Sequence, residues 1–405
     1  MKDLKIFTTN IDEKALDQIN KLMDQPAFCD AKVRIMPDVH AGSGCTIGFT
    51  ADLKDKVIPN VVGVDIGCGM YVTKLDKDID LDLEKLDKVI HEYVPSGLNA
   101  HDTDQIYIDV LKELRCFPNL KSTGWLLKSL YSLGSGNHFI EVDIDDEGYK
   151  YLVIHTGSRN LGKQVCSYFQ NKAIEIHSRK NRYNEEVKEI VDRCNKENRR
   201  SDIQKEIKAF KEEFENRIPD MPRDLCYLEG ANRDDYLFDM KICQEFAKEN
   251  RRGITKIILE HMNIEENAIL ETFDTIHNYI SFEDNIVRKS AISARSDEKL
   301  IIPINMRDGC IIGIGKGNDD WNNSAPHGAG RIMTRAKAFN TLKLEDYKES
   351  MEGIYTSSVS LDTIDEAPMV YKPMQEIIDN IKDTVDILKI IKPIYNFKAS
   401  DKERS

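Results

Sequence analysis

Six short segments set histidine, cysteine or aspartate among glycine and asparagine, from Met36-Pro-Asp-Val-His40 near the start to Pro326-His-Gly-Ala-Gly-Arg331 near the end. Between them come Asp65-Ile-Gly-Cys68, Gly134-Ser-Gly-Asn-His138, His155-Thr-Gly-Ser-Arg159 and His277-Asn-Tyr279. No repeat, low-complexity tract or linker divides these segments, which predicts one large domain over residues 1–405. Glycines let a backbone approach a ligand closely, whereas a histidine that merely fills a core has no need of them.

The intervening pattern predicts a mixed α/β (α+β) fold. Short β-branched runs over 31–36 and 57–64 alternate with glycine-rich turns and read as strands. Ile11, Leu16, Ile19 and Leu22 share a face, predicting a helix over 11–23 capped by Asn10 or Asp12. Helices are expected across 81–133, then a strand pair over 141–154 turning at Asp145-Asp-Glu-Gly148. The segment 177–220 is dense in charge with apolar residues at helical spacing, which predicts a solvated helical hairpin excursion. Further helix is expected over 233–249, strands near 299–315, a helix over 332–342 and a last, apolar-striped helix over 374–391.

Composition narrows the function. A net charge of −13 argues against coating nucleic acid by global attraction, so any such contact must be local. The first residues carry no signal peptide or membrane span, and nine scattered cysteines form no disulfide framework. The expectation is a soluble cytoplasmic protein, not bound to membrane, with reduced thiols available as ligands.

Asp65 and Cys68 lie three residues apart in a tight turn, an oxygen beside a soft sulfur that suits a borderline divalent metal. A thiolate can also bridge two metals. His138 and His155 flank the predicted strand pair and so can share its open end, while His277 arrives from elsewhere. Singly, each of these residues is compatible with a structural role; together they suffice for two metals. Pro326-His-Gly-Ala-Gly-Arg331 precedes a predicted helix, so its amides and Arg331 suit a phosphate, with His327 a nucleophile within reach. Alone, that turn would equally fit simple anion binding. Gly313-Ile-Gly-Lys-Gly-Asn318 lacks both the dinucleotide and the Walker spacing and is expected to line the same cleft.

Taken in order, the six segments closely resemble the RtcB family of RNA ligases. That resemblance implies a GTP- and manganese-dependent enzyme that joins RNA 3′-phosphate or 2′,3′-cyclic phosphate ends to 5′-hydroxyl ends in RNA repair or tRNA splicing. Its implied fold is a single large α/β domain with mixed sheets particular to the family. Cys68 would bridge two Mn²⁺ ions, one completed by His155 and His277, the other by Asp65 and His138. His327 would carry GMP. Asn137, Glu141, Arg159, Gly328, Arg331 and Lys398 match positions expected to contact the nucleotide or a phosphate, Glu141 the guanine. Partners would be cleaved RNA and an archease-like activator.

The chain departs from the family pattern at Ile304-Asn-Met-Arg-Asp-Gly309 and at Ser290, where glycine is usual after an Arg-Lys pair. The ligand set and His327 are untouched by either. Two other readings use the same residues: a dinuclear metallophosphoesterase, and a non-catalytic nucleotide- or RNA-binding paralogue.

Overall fold

In the computed structural model, residues 3–42, 44–106, 108–215 and 221–399 are described. A seven-stranded sheet runs in the order Lys299–Asn305, Gly309–Gly315, Val385–Phe397, Phe139–Ile144, Lys150–Thr156, Gly69–Leu75 and Ile269–Ile276, every pair antiparallel. Phe139–Ile144 and Lys150–Thr156 form the expected hairpin, pairing Phe139 with His155. A five-stranded sheet stands beside it, in the order Asp3–Ile6, Lys32–Ile35, Phe49–Asp52, Ile286–Lys289 and Tyr279–Ile280. The fold is mixed α/β.

The helix Gly230–Met262 packs against Gly69–Leu75, Lys150–Thr156, Leu83–Tyr93 and Arg159–Ile176. Its buried Tyr236, Met240, Cys243, Ala247, Arg251, Ile254 and Ile258 recur at three- and four-residue steps, so one stripe serves the whole length. Glu13–Met23 is a helix as expected, and Asp12 is its cap, accepting from the Ala15 amide at 2.8 Å. Arg179–Lys196 and Ile203–Glu215 form the two helices of the charged excursion, closed over a small core of Ile190, Cys194, Phe210 and Phe214. The rest of that predicted hairpin, 216–220, lies outside the described residues.

Three expectations fail. Residues 57–64 hold the short helix Pro59–Val62 rather than a strand, because a proline at the first helical position has its φ preset and no amide to leave unpaired. The final helix stops at Asn380, and 385–391 is strand instead. Its β-branched run pairs along one edge with Gly309–Gly315, and the same strand continues at 392–397 against Phe139–Ile144, so strand pairing outweighs an ambiguous apolar period. The helix expected over 332–342 is only Arg335–Thr341, capped by Thr334, since Arg331 is drawn into a bridge with Tyr371. Its amides therefore do not follow directly on His327.

Candidate active site

Five predicted ligands converge where the strand pair opens. Cys68 Sγ lies 3.4 Å from both His138 Nε2 and His155 Nε2. Asp65 Oδ2 is 2.9 Å from His138 Nε2, and His155 Nε2 is 3.5 Å from His277 Nε2. The donors fall into two overlapping groups, Asp65–Cys68–His138 and Cys68–His155–His277, with the sulfur common to both. All but Asp65 are buried.

Their orientation is imposed from outside. His138 Nδ1–H donates to Leu133 O at 2.9 Å and His155 Nδ1–H to Asn137 O at 3.1 Å. A carbonyl can only accept, so each ring's proton is fixed at Nδ1 and its Nε2 lone pair points into the cluster, as metal-ligating imidazoles require. Burial, and then the neighbouring imidazoles, push His155 and His277 well below the ordinary histidine range, which keeps both neutral. Burial and the Asp65 charge push the Cys68 thiol well up, so the sulfur needs nearby cations to act as thiolate. This donor set fits a pair of borderline divalent ions sharing one sulfur.

The loops beneath are braced by groups without an obvious sequence signature. Arg251, wholly buried, donates to Gly67 O at 2.8 Å and Thr156 O at 3.0 Å and pairs with Asp274. Asn278 donates to Asp65 O and accepts from the Ser290 amide. Gly157 admits no side chain, because a Cβ there would sit 2.1 Å from Asp65 Oδ1.

His327 stands at the edge of the cluster, its ring centroid 4.8 Å from that of His277. Its Nδ1–H donates to Asp38 Oδ2 at 2.6 Å, and the same oxygen accepts the His327 backbone N–H at 3.1 Å. The imidazole is therefore held with Nε2 free. Asp38 belongs to the Met36-Pro-Asp-Val-His40 segment, but sequence reasoning assigned it no role. Gly330, at φ +77°, closes the turn against Asp38, since a Cβ would meet Asp38 O at 2.3 Å.

A cavity of about 300 Å³ opens in front of His327. Asn137, Glu141, Gly328, Arg331 and Lys398 all line it. Arg159 does not: its guanidinium donates to Ser132 Oγ and Gly97 O, both at 3.0 Å, on the Asp65 side of the cluster. Gly313 and Gly315 also fall outside it, a correction to the expected cleft loop. They are strand residues whose missing side chains admit Val385 and the Ala294 backbone. Asn305 and Met306, within the divergent segment, do line the cavity.

Sequence reasoning missed the anchor of the basic wall. Glu366 Oε2 takes Lys398 Nζ at 2.7 Å, and Oε1 takes Arg335 at 3.1 Å and Arg331 at 3.2 Å. Burial pushes this carboxyl up, yet Lys398, Arg335 and Arg331 outweigh it and hold it at about 2. Three cations are thus gathered on one buried anion beside the free face of His327.

The family model described as tRNA-splicing ligase RtcB matches residues 18–121 and 119–399. The chain belongs to the RtcB family. The "RNA-splicing ligase RtcB" of Escherichia coli K12 is 28% identical over 410 residues, covering 92% of this chain and 91% of that protein. The "tRNA-splicing ligase RtcB" of Nanoarchaeum equitans is 25% identical, covering 88% and 85%, and that of Archaeoglobus fulgidus 24%, covering 91% and 87%. Among the described residues of this RtcB-family chain, no helix is long and apolar enough to cross a membrane.

Proposed function

We propose that this chain is an RNA ligase that uses GTP and manganese to join a 3′-phosphate or 2′,3′-cyclic phosphate end to a 5′-hydroxyl end, with His327 as the guanylylated residue. One observation carries the reading: an imidazole with its Nδ1 anchored on Asp38 and its Nε2 free lies between a two-metal donor set and a cavity walled by cations. Asp65, Cys68 and His138 would hold one ion, and Cys68, His155 and His277 the other. Bound there, the ions would neutralise phosphate oxygens.

The chain's own groups account for the rest. Arg331 and Lys398 bring positive charge to the triphosphate, and Glu141 offers an acceptor at the base. His327 Nε2 attacks the α-phosphorus, the bond to the β-phosphate oxygen breaks, and pyrophosphate leaves GMP on the ring as a phosphoramidate. GMP then passes to the RNA 3′-phosphate. The 5′-hydroxyl attacks that activated phosphorus and GMP departs, leaving a phosphodiester. A cyclic phosphate is first opened to the 3′-phosphate by water, which attacks phosphorus as the bond to the 2′-oxygen breaks and leaves a 2′-hydroxyl. Membership of a family whose relatives are named RNA-splicing ligases supports RNA as the substrate. An archease-like activator and a cytoplasmic location complete the proposal.

Intact mass after GTP and Mn²⁺ tests it. A GMP adduct, acid-labile and absent from His327→Ala, is expected, and 3′-phosphate/5′-hydroxyl strands should be joined while 3′-hydroxyl/5′-phosphate strands are not. An adduct that survives in His327→Ala removes His327 as nucleophile; joining of the second pair refutes the end chemistry.

A further inference from the structure

Beneath the cavity, the Phe139–Ile144 strand places Glu141 and Asp143 two residues apart and hence on one face. Both are buried, Asp143 entirely. Their oxygens lie within 4.8 Å of each other and of Cys310 Sγ. Glu141 already has donors: Asn396 Nδ2 to Oε2 and the Cys310 thiol, at 3.6 Å, to Oε1. Among the described residues no N–H or O–H donor reaches either oxygen of Asp143, and the groups that act on it at hydrogen-bond range are Glu141 and the Cys310 thiol.

Among the described residues that act on Asp143 there is no cation. Across the sheet, Pro393 sits opposite it on one neighbouring strand and Tyr151 on the other, and the Tyr151 hydroxyl is committed to Asp145. Cys310, from Gly309–Gly315, has its thiol pushed well up by burial and by these two carboxylates, so it holds its proton. Lys398 is the cation acting on Glu141, and its Nζ is engaged by Glu366. Two buried carboxylates this close cannot both ionise without a cation between them. Burial, then the Glu141 charge, pushes Asp143 well above the carboxylate range. Burial also raises Glu141, but the hydrogen bond with Asp143, then Asn396 and Lys398, favour its charged form, so the one retained proton belongs on Asp143.

We propose that Asp143 is a positioning residue that donates its carboxyl proton to Glu141, fixing Glu141 as an ionised acceptor that, with Asn396 Oδ1, reads the N–H edge of a guanine. Glu141 and Asn396 both line the cavity, and Asn396 Oδ1 has no hydrogen-bond partner among the described residues. Guanine presents N1–H and an amino group along one edge. Adenine puts a bare N1 acceptor there, which two acceptors would repel. The guanine half of the inference rests on the nucleotide reading above; the shared proton does not.

Infrared spectroscopy at neutral pH, without nucleotide, tests the proton directly. A protonated-carboxyl C=O band is expected, shifted by isotope-labelled aspartate in the native protein and lost in Asp143→Asn. Absence of the band overturns the proposal. So does a metal ion found between Glu141, Asp143 and Cys310, read as metal content lost in both Asp143→Asn and Cys310→Ser. Equilibrium binding of GTP and ATP tests the positioning role: Asp143→Leu should lose about tenfold of the GTP preference, the worth of one hydrogen bond to a charged group, and Asp143→Asn, which still donates, should recover it. An unchanged preference in Asp143→Leu overturns the role. If the native protein binds neither nucleotide, the guanine assignment falls with the nucleotide reading while the infrared band still decides the proton.

Discussion

Asp38→Asn is the perturbation that bears most directly on His327. Asp38 Oδ2 receives two donors, the His327 ring at 2.6 Å and its backbone N–H at 3.1 Å, while Oδ1 is buried without a partner among the described residues. An asparagine can present either its oxygen or its amino group to the ring. With the amino group there, the ring proton would be forced onto Nε2 and attack would stop, a tautomer error that costs about 10⁴ in a serine protease triad. The backbone N–H decides against that orientation, since two donors would then face each other. The amide oxygen therefore takes the place of Oδ2, and what is lost is the charge. As Nε2 bonds phosphorus the ring becomes cationic, and a hydrogen bond to a charged partner contributes about 1.5–3 kcal/mol. Formation of the covalent nucleotide should accordingly slow about ten- to a hundredfold. Single-turnover formation of protein–GMP at saturating GTP and Mn²⁺ measures this, with metal content followed in parallel. A rate within about twofold of the native protein, at full metal content, would refute the orienting role of Asp38. A fall as deep as 10⁴ would instead show that the amino group faces the ring.

Cys68→Ser should lose more metal than any single-histidine variant, because the sulfur is common to both donor groups; mass spectrometry that finds two equivalents retained would refute the sharing. Gly330→Ala should slow covalent nucleotide formation while leaving metal content intact, since the added Cβ must displace the Asp38 backbone it would meet at 2.3 Å; an unchanged rate would show that the turn can yield. Glu366 is held at about 2 against its ordinary 4.5, so its stabilisation is complete above about 4.5 and is lost as pH falls toward 2. Denaturant unfolding of native protein against Glu366→Gln should show a stability difference, on the order of 3 kcal/mol at most, that shrinks across that window; a difference independent of pH would refute the linkage.

What could be read from the residues alone was short-range chemistry. The Asp12 cap, the turn at Asp145–Gly148 and the strand pair that sets His138 and His155 at one open end all depend on residues close in sequence, whose geometry follows from backbone preferences. The candidate ligands and His327 were legible because histidine and cysteine among glycines have few purely structural uses. Tertiary structure decided whatever required distant partners. Residues 385–391 carry an apolar pattern that serves a helix or a strand, and only the open edge of Gly309–Gly315, distant in sequence, selects the strand. Asp38 meets His327, and Glu366 gathers Lys398, Arg331 and Arg335, across separations that no local pattern encodes. A carboxylate's role depends on which charges face it and on how much water remains, and both are set only when the chain has closed around it.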